Sequence, residues 1–187
     1  MANRNAQGFG LTAAGTLGST PATSGQGKYK IDAGSTTTIY NSAAVASNAG
    51  YIIDGQTTDA PVLGVLNGIF YNAATTLKPT FANHYAQPIT PANSEDIDAF
   101  VFDNPQQQYV VATDDSVAQS GYLETNDMNT SAGSDTTGKS SATLDIGDTS
   151  ADAASFRLLR SAEDPENDEN AAFRSVVVVP NLIELQS

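Results

Sequence analysis

Residues 133–140, GSDTTGKS, have the G-x-x-x-x-G-K-S spacing of a phosphate-binding loop. Such a loop holds the phosphates of a nucleotide, and it requires a buried strand before it and a helix after it. The residues before Gly133, LETNDMNTSA, are polar, and those after Ser140, SATLDIGD, alternate like a strand. We therefore interpret the match as accidental and predict no nucleotide site.

Residues 163–170, EDPENDEN, place side-chain oxygens at every second position, as a calcium loop does. An EF-hand loop also needs Gly where Glu169 stands and a bidentate Glu where Ser175 stands. Both are missing, and no helical pattern flanks the segment. The pattern predicts a solvent-exposed acidic loop, and a weak Ca²⁺ or Mg²⁺ site is the alternative.

Nucleophilic catalysis finds little support in this chain. His84 is the only histidine, it lies in a Pro-flanked segment, and there is no cysteine. Neither G-x-S-x-G nor H-E-x-x-H occurs. A Ser-His-Asp triad is assembled from residues that are distant in the sequence, so it has no characteristic sequence spacing. We predict no enzyme and name no catalytic, cofactor-binding or metal-binding residue. For His84 we expect a hydrogen-bonding role within its loop.

The chain is strongly acidic, with 21 Asp and Glu against 8 Lys and Arg and a net charge of −13. Nucleic-acid binding needs clustered basic residues, and here they are scattered. An acidic surface also repels anionic lipid, so we predict neither nucleic acid nor membrane as a partner. The longest aliphatic run, residues 176–179, is far shorter than the ~20 residues that cross a bilayer. The opening MANRNAQGFG lacks the apolar stretch of a signal peptide, so we expect synthesis in a cytoplasm.

The elements that position these residues are predicted to be strands. From Lys28 onward, short runs of β-branched and aromatic residues are separated by Asn, Asp, Gly and Pro. Residues 77–93 interrupt this pattern, because they are Pro-rich and predict a loop. Gly64 and Gly68, inside an apolar run, predict a bulge or the close approach of another backbone. We predict an all-β fold for residues 27–187, an antiparallel β-sandwich or barrel with under about 15% helix. The predicted core contains Ile31, Ile39, Val65, Leu66, Ile69, Phe70, Val101, Val110, Leu144, Leu158, Val177 and Val179.

Residues 1–26 differ from the rest in composition. They are mostly Ala, Gly, Thr, Ser and Asn, with Phe9, Leu11 and Leu17 as their large apolar side chains. Such a segment buries too little apolar area to offset its ordering entropy. We predict an extended N-terminal arm, mobile in the free protein, whose Phe9, Leu11 and Leu17 are candidate contacts to a neighbouring subunit. A floppy terminus is the alternative.

Several segments follow one another in a characteristic order: GFGL, YKIDAG, IYNSAAV, LGVLNGIFY, a Pro-rich aromatic loop, IDAFVFDNP, QQYVVATDD, TTGKSSATLD, FRLLR, PEN and VVVVPN. Their content and order resemble a family of small virion proteins of tailed phages, common in marine and freshwater phages. The resemblance implies a head decoration, or cement, protein that clamps the capsid lattice from outside. It also implies that Gly138, Lys139 and Ser140 form a turn entering a strand.

The resemblance also implies a binding partner and a location in the virion. It implies a structural virion protein on the capsid exterior that bridges subunits of the major capsid protein, with Phe9, Leu11 and Leu17 as candidate contacts to the capsid. We expect no cofactor. By analogy with other decoration proteins a homotrimer is favoured, with a dimer as the second choice. The alternative function is a tail-fibre-associated or receptor-binding virion protein, or a surface binding module.

Overall fold

A computed structural model of the chain describes residues 7–18, 25–55, 61–129, 133–147, 154–168 and 170–186. Among these residues strands predominate, and three short 3₁₀ segments are the only helical structure. This confirms the predicted all-β class and its low helix content. The antiparallel sheets pack together as in a β-sandwich, and the described residues contain no closed barrel.

Within the described residues, fifteen strands alternate with turns and three short 3₁₀ segments, Ala92–Ser94, Gln119–Gly121 and Glu184–Gln186. The strands are β1 (Thr12–Thr16), β2 (Gly27–Ile31), β3 (Ala44–Asn48), β4 (Tyr51–Asp54), β5 (Gly64–Asn72), β6 (Pro79–Ala82), β7 (Ile97–Phe102), β8 (Gln107–Ala112), β9 (Thr125–Asn126), β10 (Met128–Asn129), β11 (Gly133–Ser134), β12 (Lys139–Ser140), β13 (Thr143–Leu144), β14 (Phe156–Ser161) and β15 (Ser175–Pro180).

The strands form two main sheets. The five-stranded sheet has the order β1-β8-β15-β14-β9, and the six-stranded sheet has the order β2-β7-β5-β3-β4, with β6 beside β5. Strands β10 and β13, and strands β11 and β12, form two small ladders of their own. Every one of these strand pairs is antiparallel.

The first core lies between the two sheets. In the central strands β8 and β15, Val176 lies opposite Val111 and Val178 lies opposite Tyr109. All four side chains are buried, and Val65 of the six-stranded sheet belongs to the same cluster. Because β15 has a neighbour on each side, its continuous valine run fits a central strand.

The second core is enclosed by the six-stranded sheet, whose edges β2 and β4 approach each other without pairing. Ile31, Leu66 and Ile97 contribute to it from three strands. Ile39 and Tyr85 complete it from two connecting segments that are joined by an antiparallel bridge. The sheet is therefore curled around its own apolar cluster.

The predicted core side chains are buried, with the exceptions of Phe70 and Val110. Successive residues of a strand point to opposite faces. The neighbours Ile69 and Tyr109 are fully buried, so Phe70 and Val110 point away from the core that their own strand faces. The prediction is wrong for these two residues because a continuous apolar run does not reveal which of its members face inward.

The glycines of β5 behave as predicted. The pairing of β5 with β7 shifts register between Leu66 and Gly68, which is a β-bulge. A β-carbon at Gly68 would lie 2.8 Å from the ring of Phe81, and one at Gly64 would clash with the backbone oxygen of Phe102. Both the bulge and the close approach are confirmed.

Residues 7–18 belong to the body. Strand β1 pairs with β8 at the edge of the five-stranded sheet. Leu11 is 1% exposed within the first core, and the amide of Leu17 donates to the carbonyl of Gln106 at 2.9 Å. The segment is extended, but residues 7–18 do not form an arm separate from residues 27–187. Its mobility in the free protein stays a prediction. Residues 1–6 and 19–24 lie outside the described residues.

The pairing of β1 has a physical basis that composition does not reveal. An edge strand is held by main-chain hydrogen bonds to its neighbour, and these do not depend on large side chains. Gly10 has φ +71° and lies where a β-carbon would press on the backbone of Ser42. Only glycine accepts both conditions without strain.

Candidate functional site

Residues 133–140 form the hairpin of β11 and β12, with Gly138 at φ +68° in its turn. The chain enters β12 directly after this turn, as predicted, and residues 141–147 contain a strand and no helix. The Gly138 amide donates to the carbonyl of Ser134 at 2.7 Å, and the Gly138 carbonyl accepts from the amide of Asn41 at 2.8 Å. The turn thus forms hydrogen bonds within the hairpin and to the rest of the protein. It does not form the strand–loop–helix unit that a phosphate-binding loop requires.

The single histidine helps to hold this hairpin. The ring of His84 stacks on Tyr40, with centroids 6.0 Å apart and planes inclined by 6°, and its Nδ1 lies 2.8 Å from Oδ1 of Asn83. Tyr40 donates its hydroxyl to Asp135 at 2.7 Å, and Asn83 donates its amide to the carbonyl of Thr137 at 2.8 Å. The hydrogen bond to Asp135 raises the pKa of Tyr40. The predicted loop role of His84 is confirmed.

The acidic loop, residues 163–170, directs carboxylates at its own backbone. Asp164 accepts a hydrogen bond from the amide two residues on at 3.0 Å, and Asp168 does the same at 3.0 Å. The side chain of Asn167 donates to the carbonyl of Ser175 at 2.8 Å and accepts from its amide at 2.9 Å. Across the described part of the chain, no three or more His, Cys, Asp or Glu side chains are arranged to hold a metal ion.

The predicted contact residues lie beside the five-stranded sheet. Leu11 is buried inside the subunit, so its prediction as a surface contact is wrong. Phe9 and Leu17 are partly buried, and their contact with a neighbour stays a prediction.

An aromatic surface forms on the six-stranded sheet, where three adjacent strands place phenylalanines on one face. Phe70 of β5 lies opposite Phe81 of β6. Phe100 of β7 lies opposite Gly68 of β5, and Phe70 lies opposite Asp98, which shares a face with Phe100. We call Phe70, Phe81 and Phe100 the aromatic patch.

Phe81 is the most exposed member of the aromatic patch. Its exposed fraction is 64%, whereas Phe70 and Phe100 are partly buried. Its ring reaches over Gly68, and the Phe81 and Phe100 centroids are 6.1 Å apart in a tilted arrangement. The missing side chain at Gly68 provides the room in which this ring lies across the sheet.

Two lysines of β2 border the aromatic patch. Lys28 lies opposite Phe100, and Lys30 lies opposite Asp98. Asp98 forms ion pairs with Lys28 at 2.7 Å and with Lys30 at 2.6 Å. Burial would raise the pKa of Asp98, but the hydrogen bonds and charges of the two lysines outweigh it and hold the pKa below its ordinary value. Glu95 and Asp96 also lie near enough to act on the charge of Lys30, so this border carries charges of both signs.

The five-stranded sheet covers only part of the face that carries the aromatic patch. Farther along β5 and β7, Val65 and Phe102 lie opposite each other on the same face. Val65 belongs to the first core and Phe102 packs against it. The aromatic patch continues this apolar row beyond the residues that form the core.

The sequence carries a partial signal for the aromatic patch. Residues 97–102 have apolar side chains on both faces of their strand, which predicts burial on both sides. Phe70 is predicted as core and Phe81 as part of a loop. Both predictions are wrong, because Phe70 lies on the face opposite to buried Ile69 and Phe81 lies in β6, which pairs with β5. The extent to which the second sheet covers this face follows from no local pattern.

Comparisons of the chain with protein-family models, with curated proteins and with solved structures found no match. None of the helical segments in the described ranges is long and apolar enough to cross a membrane.

Proposed function

We propose that this protein is a structural virion protein of a tailed phage that decorates the capsid exterior and stabilises the shell by bridging subunits of the major capsid protein. The observation that carries the proposal is the aromatic patch, which presents Phe70, Phe81 and Phe100 together on one sheet. The order of the sequence segments, which resembles that of phage decoration proteins, supports the same role.

Neighbouring phenylalanines on an open sheet face favour a role in protein binding. Phenylalanine is mostly buried in folded proteins, and contiguous apolar patches mark interaction surfaces. Aromatic residues are also enriched at the centres of protein interfaces. Burying Phe81 fully against a partner would contribute ~1.5–3 kcal/mol.

Charge favours a protein partner on the outer face of the shell. A net charge of −13 opposes a position against packaged DNA, which would require clustered basic residues. Lys28 and Lys30 border the aromatic patch together with Asp98, Asp96 and Glu95. The docking surface of the partner is therefore expected to combine an apolar pocket with a polar rim that carries both signs of charge.

The proposed assembly relies on many copies of a modest contact. A shell presents the same site repeatedly, and a subunit held at several points dissociates less readily than one held at a single point. Trimers at threefold or quasi-threefold positions would direct three aromatic patches at neighbouring capsid subunits. Dimers on twofold axes are the alternative arrangement.

The test is binding to purified phage heads that lack the protein. The wild-type protein is expected to sediment with heads in many copies and to raise the temperature at which they rupture. Phe81→Ser is expected to weaken binding at least about tenfold, because a loss of about 1.4 kcal/mol corresponds to a factor of ten. Leu185→Ser, which removes a 54% exposed apolar side chain on the C-terminal turn, is the matched control and should bind like the wild type.

Three outcomes would contradict the proposal. Wild-type protein found on tails and absent from heads would favour the tail-associated or receptor-binding alternative. Binding that is unaffected by Phe81→Ser would remove the aromatic patch as the contact. An unchanged rupture temperature at full occupancy would contradict the stabilising role.

A further inference from the structure

A cavity beside the five-stranded sheet contains two of the chain's 8 basic residues, Arg160 and Arg174. It has a volume of about 580 Å³ and lies between residues 117–123, the end of β14 and the segment that leads into β15. Small-molecule sites commonly have volumes of roughly 300–1,000 Å³. We call the cavity the arginine pocket and define it by Tyr122, Arg160 and Arg174.

Arg174 provides a positive charge that is fixed in the pocket wall. It is 3% exposed, its Nε donates to Oγ of Ser161 at 3.3 Å, and its Nη1 donates to the carbonyl of Val117 at 3.3 Å. Its guanidinium carbon lies 5.6 Å from the ring centroid of Tyr122, within the range of a cation–π contact. The protein thus holds a cation at one defined place beside the cavity.

Arg160 provides a second positive charge that is accessible to a ligand. Its side chain is exposed, and its guanidinium makes no hydrogen bond or ion pair with any described residue. The backbone of Arg160 is paired opposite Val177, so the sheet sets the position from which the side chain extends. The planar guanidinium matches the two oxygens of a carboxylate.

The remaining walls of the pocket are partly apolar. Val117, Leu123 and Leu159 line the same cavity as the two arginines. Leu123 is 62% exposed, so its apolar surface is accessible to a ligand in the same cavity as the two arginines. A ligand that combines an acidic group with an apolar body would contact both parts of this surface.

We propose that the arginine pocket binds a small organic acid, with its carboxylate on Arg160 and its apolar body against Leu123 and Leu159. A chain with a net charge of −13 repels anions over most of its surface, so saturable binding of an acid needs a local positive site. A phosphate dianion suits the pocket less well, because it has no apolar body to contact Leu123 and Leu159 and a single accessible guanidinium pairs with only two of its oxygens at once. The site lies on the sheet that does not carry the aromatic patch and is independent of the proposed capsid contact.

The test is titration of the ¹⁵N-labelled protein with three probes that separate charge from apolar body. Phenylacetate is expected to give saturable amide shifts confined to residues 117–123, 159–161 and 170–174. Acetate, which has the charge alone, and 2-phenylethanol, which has the ring alone, are each expected to bind at least about tenfold more weakly. Inorganic phosphate is expected to give no saturable shift at these residues.

Three variants assign the effect to the guanidinium. Arg160→Gln is expected to weaken phenylacetate binding at least about tenfold, and Arg160→Lys, which keeps the charge without the planar fork, is expected to bind with intermediate strength. Lys78→Gln removes an equal charge from the six-stranded sheet side and should change nothing. The proposal is overturned if phosphate or acetate binds as tightly as phenylacetate, if Arg160→Gln binds like the wild type, or if phenylacetate gives no saturable shifts in the pocket.

Discussion

Phe81 and Asp98 derive their roles from residues that are distant in the sequence. Phe81 lies opposite Phe70 and reaches over Gly68, while Asp98 lies between the ammonium groups of Lys28 and Lys30. In each case the contact follows from strand pairing. A substitution at Phe81 or Asp98 should therefore alter contacts on the neighbouring strands.

Replacing Asp98 by Asn tests the ion pairs at the patch border. The pKa of Asp98 is lowered in the folded protein, so its contribution to stability is present above the ordinary pKa of 3.8 and is lost as the pH falls through the lower folded value. We expect Asp98→Asn to reduce the free energy of unfolding by about 0.5–1 kcal/mol at neutral pH, because the lysines are largely solvated. Urea unfolding in strong acid should show little difference between variant and wild type.

Glu124→Gln is the control for this measurement, since Glu124 is exposed and its side chain has no hydrogen bond or ion pair with a described residue. It should change the free energy of unfolding very little at either pH. A destabilisation by Asp98→Asn that is the same at neutral pH and in strong acid would show that the paired charge is not its cause.

Strands β1 and β6 show what edge positions do in this fold. Both are short, both come from segments whose composition predicts an arm or a loop, and each pairs with one neighbour, β8 or β5. Their main-chain hydrogen bonds hold them, while their side chains remain small, polar or exposed. Each of these two edge strands therefore forms because a neighbouring strand supplies its main-chain hydrogen-bond partners.

Leu11→Ala tests whether the segment that contains β1 belongs to the body. The side chain is 1% exposed in the first core, so its removal should reduce the free energy of unfolding by about 2–5 kcal/mol. For a protein of this size each kcal/mol corresponds to a fall in Tm of about 2–4 °C. Thermal unfolding followed by circular dichroism gives the measurement.

Thr12→Ala, at the exposed neighbouring position, is the matched control and should leave Tm almost unchanged. An unchanged Tm for Leu11→Ala would instead support a mobile arm that contributes nothing to the body. The two variants thus distinguish an edge strand from an appendage.

At the scale of the whole molecule, the excess of negative charge opposes the compact state. The net charge of −13 produces self-repulsion, which salt screens over a Debye length of about 8 Å at physiological ionic strength. Salt also weakens exposed ion pairs such as those of Asp98, but these are worth little individually. We expect Tm to rise when NaCl is added at low ionic strength and then to level off.

A series of melting curves at increasing NaCl concentration checks this expectation. A Tm that falls steadily with added salt would show that local ion pairs outweigh the general repulsion. The same series with Asp98→Asn separates the two effects, because the variant lacks the ion pairs but keeps most of the net charge.

The sequence by itself determined the all-β class, the sites of most turns and most of the interior. Turn residues and side-chain alternation are local properties, so the buried positions of Ile31, Leu66 and Val101 and the bulge at Gly68 follow from a few neighbouring residues. The same local context showed that residues 133–140 do not form a phosphate-binding unit. These conclusions need no knowledge of how the sheets pack.

Only the tertiary structure decided which apolar side chains remain open and which short segments become strands. Phe70 and Val110 lie in runs that resemble core, yet they point away from it, and Leu11 lies in a segment that resembles a tail, yet it is buried. The arginine pocket likewise joins Arg160 and Arg174 through the pairing of β14 with β15. The physical reason is that edge pairing and the cover of one sheet by another are contacts between distant parts of the chain, which no local pattern encodes.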